Sequence, residues 1–321
     1  MPPSDPPPPD LSISIVSYNT CRDLSACLAS IYQAPPTREF AVTVVDNGSS
    51  DDSVAMVRAQ FPLVRVIETG ENLGYGRANN RALLGAPGRF YAVLNSDLVL
   101  KPGSLDACCD YLEQHPSVGI AAGALLNPDA TAQMDWAAGE LDRQAVLSEQ
   151  LFAAQLFPGS RLFGDYFRSY WRRDDTRSLP QVCGAFMVIG SELYNRLGGF
   201  DEAYFMYCED TDLCKRARDA GFTCDYLHTA AAIHGHGKSS AGSLRPRMVF
   251  EHNRGRYIYF RKFRGDKEAE FVRRVMVAGA RLRILLWTSL GVATFRRAWI
   301  AKGQGYREVL ARTIELGRNA N

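Results

Sequence analysis

The sequence lacks several patterns that would each assign it to a particular class of protein. It has eight cysteines in 321 residues, but none forms a Cys-x-x-Cys pair. They are therefore expected to be reduced core residues rather than zinc ligands or a disulfide framework. No Gly-x-Gly-x-x-Gly follows the first predicted strand, which excludes the usual dinucleotide-binding fingerprint. The apolar-leaning run 284–295 has 12 residues, whereas a helix that crosses a bilayer needs about 20.

The two ends of the chain differ from the middle in composition. Residues 1–10 include six prolines and no apolar stretch, so we expect a disordered leader rather than a signal peptide. Residues 244–321 contain 18 Lys and Arg against 6 Asp and Glu, whereas residues 1–243 contain 19 against 29. This basic quarter predicts an anionic partner such as a phospholipid surface, with a merely solvated helical surface as the alternative. No recognised nucleic-acid-binding module accompanies it, and we expect no nucleic-acid partner.

Apolar strands and amphipathic helices alternate from residue 11 onward, which predicts an α/β fold with a doubly wound sheet. Residues 124–180 show no steady periodicity, and we interpret them as an excursion that carries part of an acceptor site. We predict three regions: a leader over 1–10, a main domain over 11–243, and a helical extension over 244–321. The predicted strands cover residues 12–16, 41–45, 64–67, 90–94, 184–189, 222–227 and 230–234.

The extension contains one strongly amphipathic segment. Because its apolar run is short, contains Trp287 and is flanked by arginines, we predict a helix that lies in a membrane interface with these residues as anchors. The residues expected on its apolar face are Phe271, Val275, Ala278, Leu282, Leu285 and Leu286.

Polar clusters follow three of the predicted strands. They are residues 17–19, 46–50 and 95–97. Ligands of doubly wound sheets bind beyond the carboxyl ends of the strands, so these clusters predict one binding crevice.

Residues 198–214 place five carboxylates among aromatic side chains. Carboxylates seldom lie beside buried aromatics without a role, because desolvating a charge is costly. We interpret the preceding pair Gly198-Gly199 as a helix C-cap. Tyr204, Phe205 and Tyr207 are either core residues or a wall of the acceptor site.

Five segments, in order along the chain, resemble the inverting glycosyltransferases of family 2, and the wording of the last is most similar to the rhamnosyltransferase-like branch. The resemblance covers roughly residues 11–240 and implies a GT-A-type fold, with a Rossmann-like nucleotide-binding half and an acceptor half. It also implies a divalent cation, Mn²⁺ or Mg²⁺, as cofactor. The five segments are residues 14–19, 45–53, 72–80, 94–98 and 198–214.

The resemblance also implies roles for individual residues. Asp210 is the expected catalytic base, and Glu209 is expected to contact the acceptor or tune that base. Asp97 and His234 are the expected metal ligands, with His236 as the fallback, and Asp46 is expected to pair with a pyrimidine base. The expected donor-binding set is Ser17, Tyr18, Asn19, Asp46, Asn72, Gly74, Arg77, Asn79, Asn95 and Ser96.

Structural alternatives stand beside these roles. Asp97 could cap a helix, Asp46 could start an Asx-turn, and Glu209 with Asp210 could only complement a helix dipole. The chain also departs from the family's Asp-x-Asp pattern, because its first position is Asn95.

The expected function is transfer of a sugar from a nucleotide-sugar to a saccharide acceptor in cell-surface polysaccharide synthesis. By resemblance, the donor is dTDP-rhamnose, and the acceptor is a lipid-linked saccharide at the cytoplasmic face of a bacterial plasma membrane. Asn95 keeps an alternative open, which is a catalytically weak sugar-nucleotide binding module that recruits partners through its basic tail.

Overall fold

The computed structural model describes residues 8–134, 136–235 and 246–317, with strands and helices in the first two ranges and three consecutive helices in the third. The strands are β1 (Leu11–Ser17), β2 (Phe40–Asp46), β3 (Arg65–Glu68), β4 (Phe90–Asn95), β5 (Leu98–Leu100), β6 (Val118–Leu126), β7 (Arg177–Leu179), β8 (Phe186–Gly190) and β9 (Thr223–His234). The helices are α1 (Cys21–Gln33), α2 (Ser53–Gln60), α3 (Tyr75–Leu83), α4 (Ser104–Gln114), α5 (Arg143–Gln150), α6 (Ala153–Leu156), α7 (Ser191–Arg196), α8 (Glu209–Asp219), α9 (Pro246–Arg264), α10 (Asp266–Ala293) and α11 (Arg297–Glu315).

The strands form one mixed sheet in the order β3-β2-β1-β4-β8-β6-β9-β5, and β7 pairs with β9. The strands β1, β2, β3 and β4 are parallel, whereas β8 runs antiparallel to both β4 and β6. The central strands β4 and β8 are almost wholly buried, as expected for strands covered on both faces. The predicted doubly wound α/β fold is therefore confirmed.

The second half of the sheet differs from the sequence prediction. The two short strands predicted over 222–227 and 230–234 are one strand, β9, whose pairing with β6 skips from Leu227 to Ala231. This bulge lets the chain bend while both halves keep the same neighbour. Part of β6 lies in the region interpreted as irregular, yet all but its last residue are buried.

The chain packs as two compact units, each made from several segments. Within the described residues, unit 1 comprises 8–138, 171–202 and 210–235, and contains the whole sheet. Unit 2 comprises 139–170, 203–209 and 246–317, and its helices are α5, α6, α9, α10 and α11. The predicted division at residue 243 remains a prediction about domains.

The predicted leader falls only partly within the structure, because residues 1–7 lie outside the described residues. The fallback metal ligand His236 also lies outside them. Asp10 is described, and its carboxylate accepts hydrogen bonds from Arg38 and Arg89. These two arginines hold the pKa of Asp10 below its ordinary value against the effect of burial.

Helix α10 packs into unit 2 through a face other than the apolar face assigned to a membrane interface, and that assignment stays a prediction. Ala269, Val272, Met276 and Ala280 are buried, whereas Leu285 of the predicted face is 64% exposed. The buried residues recur at helical spacing and pack within unit 2, where α10 adjoins α9 and α11. The local pattern could not choose between two overlapping apolar stripes, because only the neighbouring helices decide which one is covered.

Two buried arginines in unit 2 form hydrogen bonds or ion pairs with α5. Arg256 is fully buried against Glu149, and this neighbour holds the pKa of Glu149 at about 2 although burial alone would raise it. Arg283 donates to the carbonyl oxygens of Glu149 and Gln150 at 2.9 and 2.8 Å. Because these carbonyls end α5, the cation satisfies the negative end of that helix.

Candidate active site

The carboxyl ends of β1, β2 and β4 lie side by side at one edge of the sheet. Ser17 is opposite Asp46 in the β1–β2 pair, and Val16 is opposite Asn95 in the β1–β4 pair. The structure thus brings together the three polar clusters, because parallel strands in this register end at the same level.

The Asp46 carboxylate has one oxygen engaged and one without a partner. Its Oδ2 accepts a hydrogen bond from the backbone N–H of Ser49 at 3.0 Å, as in the predicted Asx-type turn. Its Oδ1 is buried and has no hydrogen-bond partner among the described residues. A buried carboxylate oxygen left unpaired is costly, so this oxygen fits an N–H donor supplied by a ligand.

The first loop of the edge is held by short polar contacts. The hydroxyls of Ser17 and Thr20 share a hydrogen bond of 2.9 Å, and Thr20 donates to Ser96 Oγ at 2.9 Å. Asn19 has a positive φ of 55° and accepts from the backbone N–H of Ser50 at 2.8 Å. The side chain of Tyr18 is half exposed beside this loop.

The loop before α3 is shaped mainly from within. Asn47 donates to Asn72 Oδ1 and to the carbonyl of Gly74, both at 3.1 Å. Asn79 is fully buried; its Oδ1 accepts from Ser14 and its Nδ2 donates to a backbone carbonyl. Asn79 therefore supports the loop, and its role in donor binding stays a prediction. Arg77 is more exposed and pairs with Glu202 at 3.0 Å.

The predicted metal ligands meet, although they are distant in sequence. Oδ1 of Asp97 lies 3.2 Å from Nε2 of His234. Nδ1 of His234 lies 2.9 Å from Oε1 of Gln133, which also donates through its amide nitrogen to the His234 carbonyl at 2.8 Å. With Oε1 accepting from Nδ1–H, Nε2 is the ring nitrogen that faces Asp97 and is the one left to bind a cation.

This pair fits a divalent cation. Two lone-pair atoms this close need a proton or a cation between them, and neighbouring ligands of an octahedral ion at about 2.1 Å stand about 3 Å apart. Nδ2 of Asn95 lies 3.5 Å from Nε2 of His234, so the substitution in the Asp-x-Asp pattern removes one oxygen anion from the site. Within the described residues no cluster of three His, Cys, Asp or Glu occurs, so a bound diphosphate would have to supply further oxygens.

Asp210 lies in the first turn of α8 and is held by backbone donors. Its Oδ2 accepts from the N–H of Gly184 at 3.0 Å, and its Oδ1 accepts from the N–H of Thr211 at 2.7 Å. Burial raises the pKa of Asp210, while the hydrogen bonds to Gly184 and Thr211 oppose this shift. A raised pKa suits a carboxylate that takes up a proton during a reaction.

Asp210 and the predicted metal pair belong to the same edge of the sheet. Gly184, which donates to Asp210, is followed by Ala185, whose carbonyl accepts the N–H of Asn95 at 2.9 Å. The next residue, Phe186, stands opposite Leu94 in the antiparallel β4–β8 pair. Only two hydrogen-bonded links therefore separate Asp210 from the segment that carries Asp97.

The other acidic residues of the 198–214 stretch have different environments. Asp212 is fully buried and pairs with Arg216, which also donates to the carbonyls of Leu197 and Gly199. Gly198 and Gly199 both have φ above 70° and follow α7, which agrees with a glycine C-cap. Asp212 is thus a structural residue that fixes the end of α7.

Glu209 follows a strained turn in unit 2. Tyr207 and Cys208 both have φ of 68°, a conformation that costs non-glycine residues roughly 1–3 kcal/mol each. Gly255 of α9 touches this turn so closely that an added Cβ would lie 2.6 Å from the Tyr207 carbonyl oxygen. The turn therefore depends on Gly255. Glu209, whose side chain is buried, is the first residue after the turn.

Replacing Gly255 by alanine is expected to displace the turn and lower the turnover number by about tenfold or more, because misplacement of a reacting group by 1 Å can cost 10²-fold. The KM for the donor should change little. Steady-state kinetics with a thermal melt would measure both. Gly159→Ala is the matched control, since its added Cβ meets nothing within 4 Å. Equal kinetics in both variants would contradict the proposed dependence.

Sequence reasoning missed two groups that hold the site. Gln133 orients His234 across 101 residues of sequence, and the Gly184 N–H orients Asp210. Gln133 lies in a stretch without periodicity, so no local signal marks it. The apolar pattern predicts Gly184 only as the first residue of a strand, and it gives no sign of the contact with Asp210.

The chain matches a known protein family and named relatives. The family model described as Glycosyl transferase family 2 matches residues 12–178. A Mycobacterium tuberculosis (H37Rv) protein named N-acetylglucosaminyl-diphospho-decaprenol L-rhamnosyltransferase is 28% identical over 260 residues, covering 78% of this chain and 83% of that protein. Rhamnosyltransferase WbbL of Escherichia coli K12 is 26% identical over 179 residues, covering 52% and 62%.

Solved structures support the fold. Mannosyltransferase PcManGT from Pyrobaculum calidifontis, in complex with GDP-Man and Mn²⁺, aligns with a TM-score of 0.57 at 16% identity, covering 97% of this chain and 88% of that one. Staphylococcus aureus TarS 1–349 in complex with UDP aligns with a TM-score of 0.51 at 16% identity, covering 96% and 81%. At these identities the likeness concerns the fold alone.

Proposed function

Because the chain belongs to glycosyl transferase family 2 and is a glycosyltransferase, we propose that it moves a sugar from a nucleotide-sugar to a lipid-linked saccharide, with inversion at the anomeric carbon. The observation that carries this proposal is the edge of the sheet that holds Asp210, Asp97 and His234 together. The proposed donor is dTDP-rhamnose and the proposed acceptor a polyprenyl-diphosphate-linked saccharide. The rhamnosyl group follows the names of both relatives, and the acceptor follows the name of the Mycobacterium tuberculosis relative. The dTDP part of the donor rests on the resemblance of the 198–214 segment alone.

The unpartnered oxygen of Asp46 supports nucleotide binding at the β2 end of the edge. Thymine, the base of the proposed donor, carries a ring N–H, which is the donor that Oδ1 of Asp46 lacks. The loops 17–20 and 72–79 are fixed by their own hydrogen bonds, so they hold their shape before the donor arrives. Such preorganisation keeps the anomeric carbon in line with the attacking hydroxyl.

Asp210 is proposed to take the proton from the acceptor hydroxyl. Its backbone hydrogen bonds fix the carboxylate orientation, and its burial makes the ionised form a stronger base. Glu209 is proposed to contact the acceptor. Attack by the activated hydroxyl on the face opposite the leaving diphosphate is a single displacement, which inverts the anomeric configuration.

Asp97 and His234 would hold the divalent cation, Mn²⁺ or Mg²⁺, that the fold family implies. When bound, such a cation neutralises the charge that develops on the departing nucleoside diphosphate. Gln133 keeps the His234 ring in place, and an imidazole ligand favours Mn²⁺ slightly. Because the acceptor is lipid-linked, the proposed location is the cytoplasmic face of the plasma membrane.

A donor screen tests this proposal. The purified chain is mixed with dTDP-rhamnose, UDP-GlcNAc, UDP-glucose or GDP-mannose, with a polyprenyl-diphosphate-linked acceptor and with Mn²⁺, Mg²⁺ or EDTA. We expect metal-dependent release of nucleoside diphosphate from dTDP-rhamnose, and transfer of the sugar with inverted configuration as read by NMR. Nucleotide binding without turnover for every donor would instead favour the binding-module alternative, for which Asn95 is the structural argument.

A further inference from the structure

Unit 2 exposes apolar side chains at two places. The first is the end of α10 with its turn into α11, where Phe295 is 94% exposed and Leu285 is 64% exposed. The second lies around α6, where Leu156 and Leu162 are 69% and 61% exposed. Exposed apolar groups on this scale commonly mark an interaction surface. We call these residues the docking surface; its members are Leu151, Leu156, Phe157, Leu162, Leu285, Leu286, Leu290, Val292 and Phe295.

The two places adjoin through contacts within unit 2. The ring of Phe152, next to Leu151, meets the ring of Trp287 edge-on at 6.5 Å. The guanidinium of Arg283 lies 4.3 Å from the Phe152 ring centroid and bonds the carbonyls that end α5. The end of α5 is thus fixed on the same stretch of α10 that carries Leu285 and Leu286.

The tip of this surface is a packed hairpin rather than a loose tail. Trp287 of α10 and Trp299 of α11 stack at 4.9 Å, with the Lys302 ammonium 4.8 Å from the Trp299 centroid. Gly291 and Gly303 allow the two helices to approach, because an added Cβ would lie 2.6 Å from Ile300 or from Thr288. The fold therefore holds Phe295 and its neighbours out from the protein.

The charges along α10 after Glu270 and along α11 as far as Arg307 have one sign. No Asp or Glu occurs between Glu270 and Glu308, whereas eight Lys or Arg do. Arg296 and Arg297, which follow Phe295 directly, are both exposed. Apolar side chains framed by cations and aromatic rings match the interface of an anionic bilayer, where basic residues gain by attraction to headgroups.

A shallow mode of contact agrees with the packing of α10. By length and composition alone this helix could cross a membrane. Its first half, however, is packed inside unit 2 through Ala269, Val272 and Met276, and its first turn carries Asp266 and Glu268. Of α10, only the last three turns and the turn into α11 are available to lipid.

We propose that the docking surface seats on an anionic phospholipid bilayer, with Phe295 and the leucines entering the headgroup region and Arg296 and Arg297 contacting phosphates. This inference deepens the proposed function. It rests on that function in one respect, because docking would give the enzyme access to a lipid-linked acceptor. A second copy of the chain is the less suitable occupant, since two such basic surfaces repel each other.

Vesicle flotation with the full chain tests the surface. We expect binding to vesicles of phosphatidylcholine with 30% phosphatidylglycerol and little binding to phosphatidylcholine alone. The triple variant Leu285→Ser, Leu290→Ser, Phe295→Ser should bind at least tenfold more weakly, and so should the double variant Arg296→Ala, Arg297→Ala. Both should keep the rate of donor hydrolysis in solution, because these residues lie outside the site.

Matched controls come from unit 1. Leu63→Ser with Leu84→Ser removes exposed apolar side chains, and Arg65→Ala with Arg81→Ala removes exposed cations. Both should bind vesicles as the parent does. Equal losses in controls and docking variants, no vesicle binding by the parent, or a dimer that the triple variant abolishes would each overturn the proposal. Vesicle binding without any sugar transfer would instead count against the proposed function and leave docking intact.

Discussion

Replacing Asp210 by asparagine is expected to lower the rate of sugar transfer by about 10²- to 10⁴-fold, the usual contribution of a positioned general base. Asparagine keeps the shape of the side chain, and its oxygen can still accept from the Gly184 N–H, but it cannot take up the acceptor proton. Single-turnover rates with a lipid-linked acceptor measure this effect. The donor Kd should change little, since Asp210 is assigned to the acceptor side.

Two further variants of α8 make the result specific. Asp219→Asn removes an exposed carboxylate that pairs with Lys215 in the last turn of the helix, and it should leave the rate unchanged. Glu209→Gln should raise the acceptor KM more than it lowers the turnover number. If Glu209→Gln showed the larger loss of turnover and Asp210→Asn the smaller, the two roles would have to be exchanged.

The pH dependence of the rate gives an independent measure of the same group. Burial raises the pKa of Asp210 above its ordinary value, and only the ionised carboxylate can accept a proton. The rate of transfer should therefore fall as the pH falls through this raised pKa, and should level off above it. This acid limb should be missing from the residual rate of Asp210→Asn; an acid limb that persists unchanged would belong to another group.

Replacing Asp97 by alanine is expected to weaken Mn²⁺ binding by more than the 10- to 100-fold that loss of an outer partner causes. The reason is that one of the two protein ligands proposed for the cation disappears. Titration of Mn²⁺ in the presence of dTDP, followed by electron paramagnetic resonance, reads this affinity without turnover. Transfer activity should fall in parallel and should be partly restored at high Mn²⁺.

Gln133→Leu and Asp110→Asn complete this experiment. Gln133 touches His234 rather than the proposed cation, so its loss should cost about 10- to 100-fold in Mn²⁺ affinity. Asp110 is an exposed carboxylate on α4 paired with Arg38, and its removal should have no effect. The alternative role of Asp97 as a helix cap is wrong, because α4 begins after Gly103. If Asp97→Ala bound Mn²⁺ as tightly as the parent, Asp97 would not be a ligand of the cation.

The local pattern of the chain was enough to predict the first half of the sheet. Leu11, Val44 and Leu94 lie in short apolar runs that alternate with amphipathic helices, and each strand ends at a polar cluster. Such alternation has few solutions, because helices must cover both faces of a parallel sheet. Hence Asp46 and Asp97 could be assigned to one crevice from sequence, and the structure places them after β2 and β4, the two strands that flank β1.

Other features depended on contacts that no local window contains. Gln133 meets His234 across 101 residues, and Gly184 meets Asp210 across 26. The face of α10 that is buried was chosen by α9 and α11, and Arg283, which a helical wheel leaves outside, is buried because the open carbonyls of α5 need a donor.

The sequence by itself determined which elements form and which side chains end each strand, because these follow from the period of apolar residues along the chain. The tertiary structure alone decided how His234 and Asp210 are oriented and which apolar residues remain uncovered. Hydrogen bonds and burial between distant segments set these features, and their energies exist only after the chain has folded.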